Sequence, residues 1–512
     1  MPDLPPRLII AAPMSGSGKT TVTAGLIAAL AGRGLRIAPF KVGPDYIDPS
    51  YHALAAGRPC HNLDAWMLPE GEVAALLAAQ ARDADLALIE GVMGLFDGVS
   101  GDDDTSSAAH VARLTGAPVL LVLDVRAMAR TAAALVRGLR DFDPRVRLAG
   151  VVLNRAGSDR HAALVRAAVE AHAGLPVLGH LRRQEDLSLP ERHLGLVPTA
   201  EPGRWSAWLA AARAAVEQTV DLDRILEVAR SAQGQAPGTR STKDTKDTNG
   251  QGHENRELNL QNAALNTLPG GELKTQNSKL KTPRIAVAQD EAFSFLYQDN
   301  LDLLRAAGAE LVPFSPLRDA ALPARVGALY LCGGFPELYA AALAANGAMR
   351  AAVRRAAEAG MPIYAECGGL MYLTETIVDQ QGQTHPMAGV LPGRSVMTVR
   401  LTMGYRTVRA LADSWLWRAG ETARGHEFHY STWETPPDLP PAYELLPGAL
   451  QREQRPDGAC YGSVFASYVH LLFRAVPGLA ERLVAAAVGT EIREEAQRDQ
   501  PTCHPEAHRK GV

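Results

Sequence analysis

Apolar positions along this chain fall in short continuous runs rather than in strict alternation. Residues 8–12, 86–89, 119–125 and 150–153 are almost wholly Ala, Val, Leu and Ile. Runs of that length, separated by Ala- and Leu-rich stretches of helical length, predict parallel strands covered by helices on both faces. The first intervening helix is expected over 21–30, with Gly32 and Gly34 to stop it. The rhythm lapses over 232–283. There Ser241-Thr242-Lys243-Asp244-Thr245-Lys246-Asp247-Thr248 is polar and nearly repetitive, with too few apolar side chains to offset the entropy of ordering. From Arg284 the rhythm restarts, predicting strands over 285–288, 328–331 and 362–365 and a helix over 301–307. The fold class expected is therefore α/β with two domains. Residues 1–231 form the first, 232–283 a disordered linker or insertion, 284–492 the second, and 493–512 a disordered charged tail.

Composition narrows the class. A length of 512 residues exceeds one ordinary core. Net charge is −4 and no Lys/Arg block occurs, which disfavours nucleic acid as a partner. The five cysteines are odd in number and widely spaced, fitting neither a disulfide framework nor a paired zinc motif. Met1 to Pro6 lacks a basic n-region, and the apolar run that follows is too short for a signal core or a membrane span. A cytoplasmic protein without membrane contact is expected.

Chemistry enters at two places. Ser15-Gly16-Ser17-Gly18-Lys19-Thr20-Thr21 follows the first strand and opens the first helix. Glycines there let backbone N–H groups close on phosphates, Lys19 is placed to reach the β/γ-phosphates, and the Thr20 hydroxyl suits Mg²⁺. The strict pattern wants Gly where Pro13 stands, so this is a variant loop. Mg²⁺ also needs hard oxygen ligands. Glu90 ends an apolar strand, and Asp45 and Asp48 share a Gly/Pro-stiffened loop with Lys41 in Lys41-Val42-Gly43-Pro44-Asp45-Tyr46-Ile47-Asp48. The metal set expected is Thr20, Asp45 and Glu90. Lys41, Asp48 and Asp97 are expected to face substrate or phosphate, with a turn role as the alternative for Asp97. Asp102-Asp103-Asp104 is expected to be a solvated loop or helix start.

The second place is Ala365-Glu366-Cys367-Gly368-Gly369, a cysteine on a strand-to-helix turn. Such a turn exposes a nucleophile, and a histidine raises its thiolate fraction. His470 is the expected base. Gly333 and Gly334, after the neighbouring strand, and Gly368 are expected to offer N–H groups to an oxyanion. Cys332 also precedes two glycines, but Phe335-Pro336 marks a loop.

Together these residues resemble the cobyrinic acid a,c-diamide synthase family. The further segments carrying the resemblance are Glu90-Gly91-Val92-Met93-Gly94-Leu95-Phe96-Asp97-Gly98, Cys332-Gly333-Gly334-Phe335-Pro336-Glu337 and Gly425-His426-Glu427-Phe428-His429-Tyr430. The first half is also similar to dethiobiotin synthetase, a P-loop NTPase-type sheet, and the second to class I glutamine amidotransferases. The resemblance implies an ATP-dependent ligase of cobalamin biosynthesis, with Mg²⁺, a corrinoid carboxylate substrate and L-glutamine as nitrogen donor. It implies Asn154 as a reader of adenine. Class I glutaminases usually place Glu two residues beyond the histidine, and here that residue is Leu472. Glu427 or His429 are the candidates left to orient His470. Hydrogenobyrinic acid and nickel-sirohydrochlorin stay open as substrates. A partitioning-type ATPase with an inactive amidotransferase fold is the alternative from another class, although Met14 occupies the place of its early-loop lysine. Oligomeric state is not legible in the sequence, and a homodimer stays open.

Overall fold

Strands that must bury both faces gather at the centre of a parallel sheet. The computed structural model describes residues 4–69, 71–187, 204–233, 282–448 and 454–498. In the first part, β1 (Arg7–Ala11), β2 (Ile37–Val42), β3 (His61–Leu63), β4 (Leu86–Glu90), β5 (Val119–Asp124), β6 (Leu148–Ala156) and β7 (Val177–Arg182) form one sheet in the order 3-2-4-1-5-6-7. Every neighbouring pair is parallel. Side chains alternate between two cores, with Ile9, Ala11, Ala87, Ile89 and Leu121 on one face and Leu8, Ile10, Leu86, Leu88 and Leu120 on the other. That division follows from the two-residue period of a strand.

The helix Lys19–Gly32 begins two residues before the expected start at Thr21, inside the phosphate loop, and ends two residues beyond 30, the usual spread of a helix boundary. β2, β3 and β7 add strands to those legible as apolar runs. β2 carries Pro39 and Lys41 inside Ile37–Val42, and these interrupt its apolar signature.

The second part holds a parallel sheet in the order Glu310–Phe314, Arg284–Ala288, Ala328–Leu331, Ile363–Glu366 and Val464–Ser467, with Ala459–Tyr461 antiparallel at the edge. A further antiparallel sheet is built around the long hairpin Arg394–Ala410 and Thr422–Glu434. Polar and apolar positions are mixed along that hairpin, with exposed side chains between buried ones, so it carries no continuous apolar run. The last helix, Leu479–Arg498, extends six residues into the stretch expected to be disordered. Glu and Ala favour helix there. Most of the segment 232–283 and residues 499–512 lie outside the described residues. No described helix is long and apolar enough to cross a membrane.

The two parts share a seam. Tyr297 and Leu472 join one core of the first sheet, and Phe295 and Phe335 join the other. Tyr46, from the loop after β2, stacks on Phe295 with centroids 5.0 Å apart, and lies 4.5 Å from Tyr297 and 5.1 Å from His470. The Tyr405 hydroxyl donates to Asp64 at 2.8 Å, and His61 meets Asp302 at 2.8 Å. Replacing Tyr46 by Ala removes one aromatic from this packed seam. It is expected to cost roughly 2–4 kcal/mol and to split the calorimetric melt into two resolved transitions. A melt of wild-type shape and midpoint would mean that the two parts are held without it.

Candidate active site

The phosphate loop sits where β1 ends. Gly18 has φ of 89°, in the left-handed region that L side chains avoid. A Cβ there would also lie 2.1 Å from the Asn154 side-chain nitrogen. Asn154, from β6, donates to the Ser17 carbonyl at 2.8 Å, and Arg155 donates to the Gly16 carbonyl at 2.6 Å. These two side chains brace the loop from below. Lys19 donates to the Met93 and Met14 carbonyls at 2.6 and 3.3 Å. Burial, reinforced by the nearby Lys41 ammonium, lowers its pKa to about 8. An incoming phosphate would outbid two neutral carbonyls for this cation.

Lys41 is the centre of the adjoining charge cluster. Its ammonium lies 2.6 Å from Asp48, 3.2 Å from Glu90 and 3.6 Å from Asp45, and its side chain is buried. Burial would lower its pKa, but Asp48, Glu90 and Asp45 outweigh that and raise it. Asp45 is pushed up to about 6 by burial and by Asp48. Asp48 is held well below the usual carboxylate range, because the Lys41 ammonium outweighs the effect of burial. Asp45 also accepts the Ile47 and Asp48 amides, which fixes the loop. Thr20 donates to Glu90 at 3.0 Å, and the other Glu90 oxygen meets the buried His52. His52 had no motif to reveal it.

Around this cluster opens a cleft of about 700 Å³, lined by Ser15, Gly16, Gly18, Lys19, Thr20, Thr21, Lys41, Asp45, Asp48, Glu90 and Asn154. Arg126, Arg155, Arg182 and Arg183 line it as well, a basic wall that the sequence motifs did not include. Asp97 is not in the lining. Its carboxylate accepts the Gly94 amide at 2.8 Å, as a turn residue does. Asp104 is buried and pairs with Arg113 at 2.7 Å, so this acid of the Asp102 to Asp104 run departs from the solvated loop expected.

The chemistry of the donors suits Mg²⁺. The Thr20 hydroxyl and the Glu90 carboxylate converge at a helix start beside the phosphate loop, with Asp45 across Lys41. Mg²⁺ characteristically takes one or two protein carboxylates and completes its shell with phosphate and water. No group of three His, Cys, Asp or Glu residues set to hold a metal occurs among the described residues.

The second site lies across the seam. Cys367 caps the helix Gly368–Leu373 with φ 45° and ψ −101°, a strained turn for a non-glycine residue. Its amide donates to the Ser467 carbonyl at 2.7 Å, which ties the turn to the neighbouring strand. Burial raises the thiol pKa, and Glu337 raises it further against the opposing Gly368 amide. The free thiol therefore needs a base. A Cβ on Gly333 would lie 2.3 Å from the His470 ring, and one on Gly368 would lie 2.9 Å from the Gly334 amide nitrogen. The glycines thus let the histidine and the two loops close together. Cys332 is buried and bonded to the Ala288 carbonyl.

The candidates for orienting His470 do not reach it. Glu427 is buried against Arg406 and Arg455, and His429 bonds the Ser431 carbonyl and stacks on Tyr468. The carboxylate that does face His470 is Glu366, whose Oε2 is 3.7 Å from Nδ1.

Family models match both halves. That for the CobQ/CobB/MinD/ParA nucleotide binding domain covers residues 8–197, and that for the CobB/CobQ-like glutamine amidotransferase domain covers residues 284–477. A cobyrinate a,c-diamide synthase of Dehalococcoides mccartyi is 44% identical over 488 residues, 94% of this chain and 98% of that protein. The chain belongs to the cobyrinate a,c-diamide synthase family. The Salmonella typhimurium member is 42% identical, with 94% of this chain and 97% of its own length covered. A hydrogenobyrinate a,c-diamide synthase of Streptomyces coelicolor is 44% identical at 94% and 97% coverage. Within this synthase family, then, the cleft around Lys19 falls inside the nucleotide-binding match and Cys367 inside the amidotransferase match.

A Lys41→Met protein strands three carboxylates around one lost cation. It is expected to lose roughly 3–5 kcal/mol of stability, the scale of breaking a buried ion pair. Millimolar Mg²⁺ should restore part of that loss and raise the variant's melting point more than the wild type's. A midpoint that neither falls nor responds to Mg²⁺ would refute the central position given to Lys41.

Proposed function

We propose that this protein converts the a and c acetate carboxylates of cobyrinic acid to amides, spending ATP and taking nitrogen from glutamine. What carries the proposal is identity of 40–45% along 94% of the chain with synthases of this reaction class. The chemistry at the two clefts supports it. A carboxylate is a poor acyl donor because oxide is a poor leaving group. Its oxygen therefore attacks the γ-phosphorus, the bond to the bridging oxygen breaks, and ADP leaves. Ammonia then adds to the acyl carbon, phosphate departs, and the nitrogen loses a proton. Lys19 and the amides of the loop from Ser15 to Thr21 hold the phosphates as charge gathers during transfer. Thr20, Glu90 and Asp45 would hold Mg²⁺, which when bound neutralises phosphate charge. Lys41 and Asp48 position substrate or phosphate, and Asn154 is assigned to the reading of adenine beside the loop that it braces.

At the other site the Cys367 sulfur adds to the side-chain carbonyl of glutamine while His470 takes the thiol proton. His470 returns a proton to the departing nitrogen, and ammonia leaves. Water then cleaves the γ-glutamyl thioester, releasing glutamate and restoring the thiol. N–H groups of Gly333, Gly334 and Gly368 stabilise the oxyanion. A reducing cytoplasm suits a thiol nucleophile. The hydrogenobyrinate-named relative is as similar as the cobyrinate-named ones, so a cobalt-free ring is the second substrate to try.

Mass spectrometry of cobyrinic acid after incubation with Mg-ATP and amide-¹⁵N glutamine should find two labelled amides, formed only with ATP. ATP hydrolysis without label, on both the cobalt-bearing and the cobalt-free acid, would refute the proposal. Cys367→Ser should abolish glutamine-driven turnover and leave ammonia-driven turnover near the wild-type rate. Loss of both would refute the division of labour between the clefts.

A further inference from the structure

We propose that Glu366, the residue before the nucleophile, orients and charges His470 in place of the acid that glutaminases of this class carry two residues beyond the histidine. The inference rests on the glutaminase role given above to Cys367 and His470. Four observations carry it. First, the usual slot is unavailable to a carboxylate. Leu472 occupies it and packs into the hydrophobic core of the first sheet, so an acid there would be buried among apolar side chains without a partner. Second, His470 is fully buried, and both of its ring nitrogens lack a hydrogen-bond partner among the described residues. Third, Glu366 is the carboxylate within 4 Å of that ring among the described residues, with Oε2 3.7 Å from Nδ1.

Fourth, Glu366 is itself held rigidly. Its Oε1 accepts the Tyr364 hydroxyl at 2.7 Å and the Leu471 amide at 3.1 Å, and its Oε2 accepts the Tyr330 hydroxyl at 3.0 Å. The Leu471 amide belongs to the residue after His470, so one carboxylate grips the histidine strand through its backbone and faces the ring through its other oxygen. Three donors stabilise a buried anion. The fourth interaction, from Nδ1–H of His470, forms as the gap of 3.7 Å closes in the glutamine complex. With the proton kept on Nδ1, Nε2 is free to take the thiol proton of Cys367, and the imidazolium so formed faces an anion. Glu366 is thus a positioning residue, acting through His470 and not on glutamine.

The test is steady-state glutamine hydrolysis, with ammonia-driven amidation measured in parallel. Glu366→Gln keeps size and neutralises charge. It should lower kcat for glutamine by about a hundredfold or more, the scale of losing the acid of a catalytic triad, with KM for glutamine within about threefold of wild type. Tyr364→Phe deletes a bond to Glu366 but leaves its charge, and should cost no more than about tenfold. Glu366→Asp withdraws the carboxylate by one methylene and should fall between the two, which provides the answer should the Gln variant not fold. The proposal is overturned if Glu366→Gln or Glu366→Asp keeps wild-type kcat. It is equally overturned if Tyr364→Phe loses as much as Glu366→Gln, or if ammonia-driven turnover falls in step. A wild-type protein without glutaminase activity would instead refute the function proposed for Cys367.

Discussion

A single buried ammonium organises both halves of this molecule. Lys41 leaves the end of β2 and is gripped by Asp48, Glu90 and Asp45. A cation so placed must be matched, because a buried charge left without its partner costs roughly 3–5 kcal/mol. Matching it pulls the loop from Gly43 to Asp48 tight against β4, where Glu90 also receives Thr20 from the phosphate loop. The same loop carries Tyr46, and Tyr46 packs against Phe295, Tyr297 and His470. The charge cluster thus fixes the nucleotide cleft, and its loop extends that order into the seam. One short segment has acids facing the first site and an aromatic ring facing the second.

Much of this was legible in the chain. The apolar runs at 8–12, 86–89 and 119–125 mark strands because each must be buried on both faces, and burial on both faces leaves no polar positions. Lys19, Thr20, Glu90 and Cys367 were visible because their chemistry requires particular neighbours at fixed spacing. The antiparallel hairpin was not visible, since its strands are solvated on one side and carry arginines such as Arg394 and Arg400. Nor was Glu366 as a partner of His470. The two lie 104 positions apart, and only the pairing of Ile363–Glu366 with Val464–Ser467 brings them together. A motif search looks for the third acid along the chain, whereas the fold supplies one across a strand.

The two sites solve opposite electrostatic problems. The nucleotide cleft must attract a polyanion, and it meets that need with Lys19 and four arginines, of which Arg126 and Arg155 share Asp124 and Arg182 pairs with Asp159. The glutaminase site must generate an anion, the thiolate, in a place where burial and the nearby Glu337 both oppose it. That opposition argues against a permanently ionised cysteine. In the proposed mechanism the thiol ionises only as His470 accepts its proton, which lowers its reactivity toward oxidants between turnovers.

Glu337 sharpens the point. It lies three residues beyond Gly334, and burial pushes its pKa up to about 7. At neutral pH it is poised between neutral and charged. Each deprotonation places negative charge beside the thiol and makes thiolate formation harder, while each protonation relieves it. Bringing a cation close to Glu337 would have the same relieving effect.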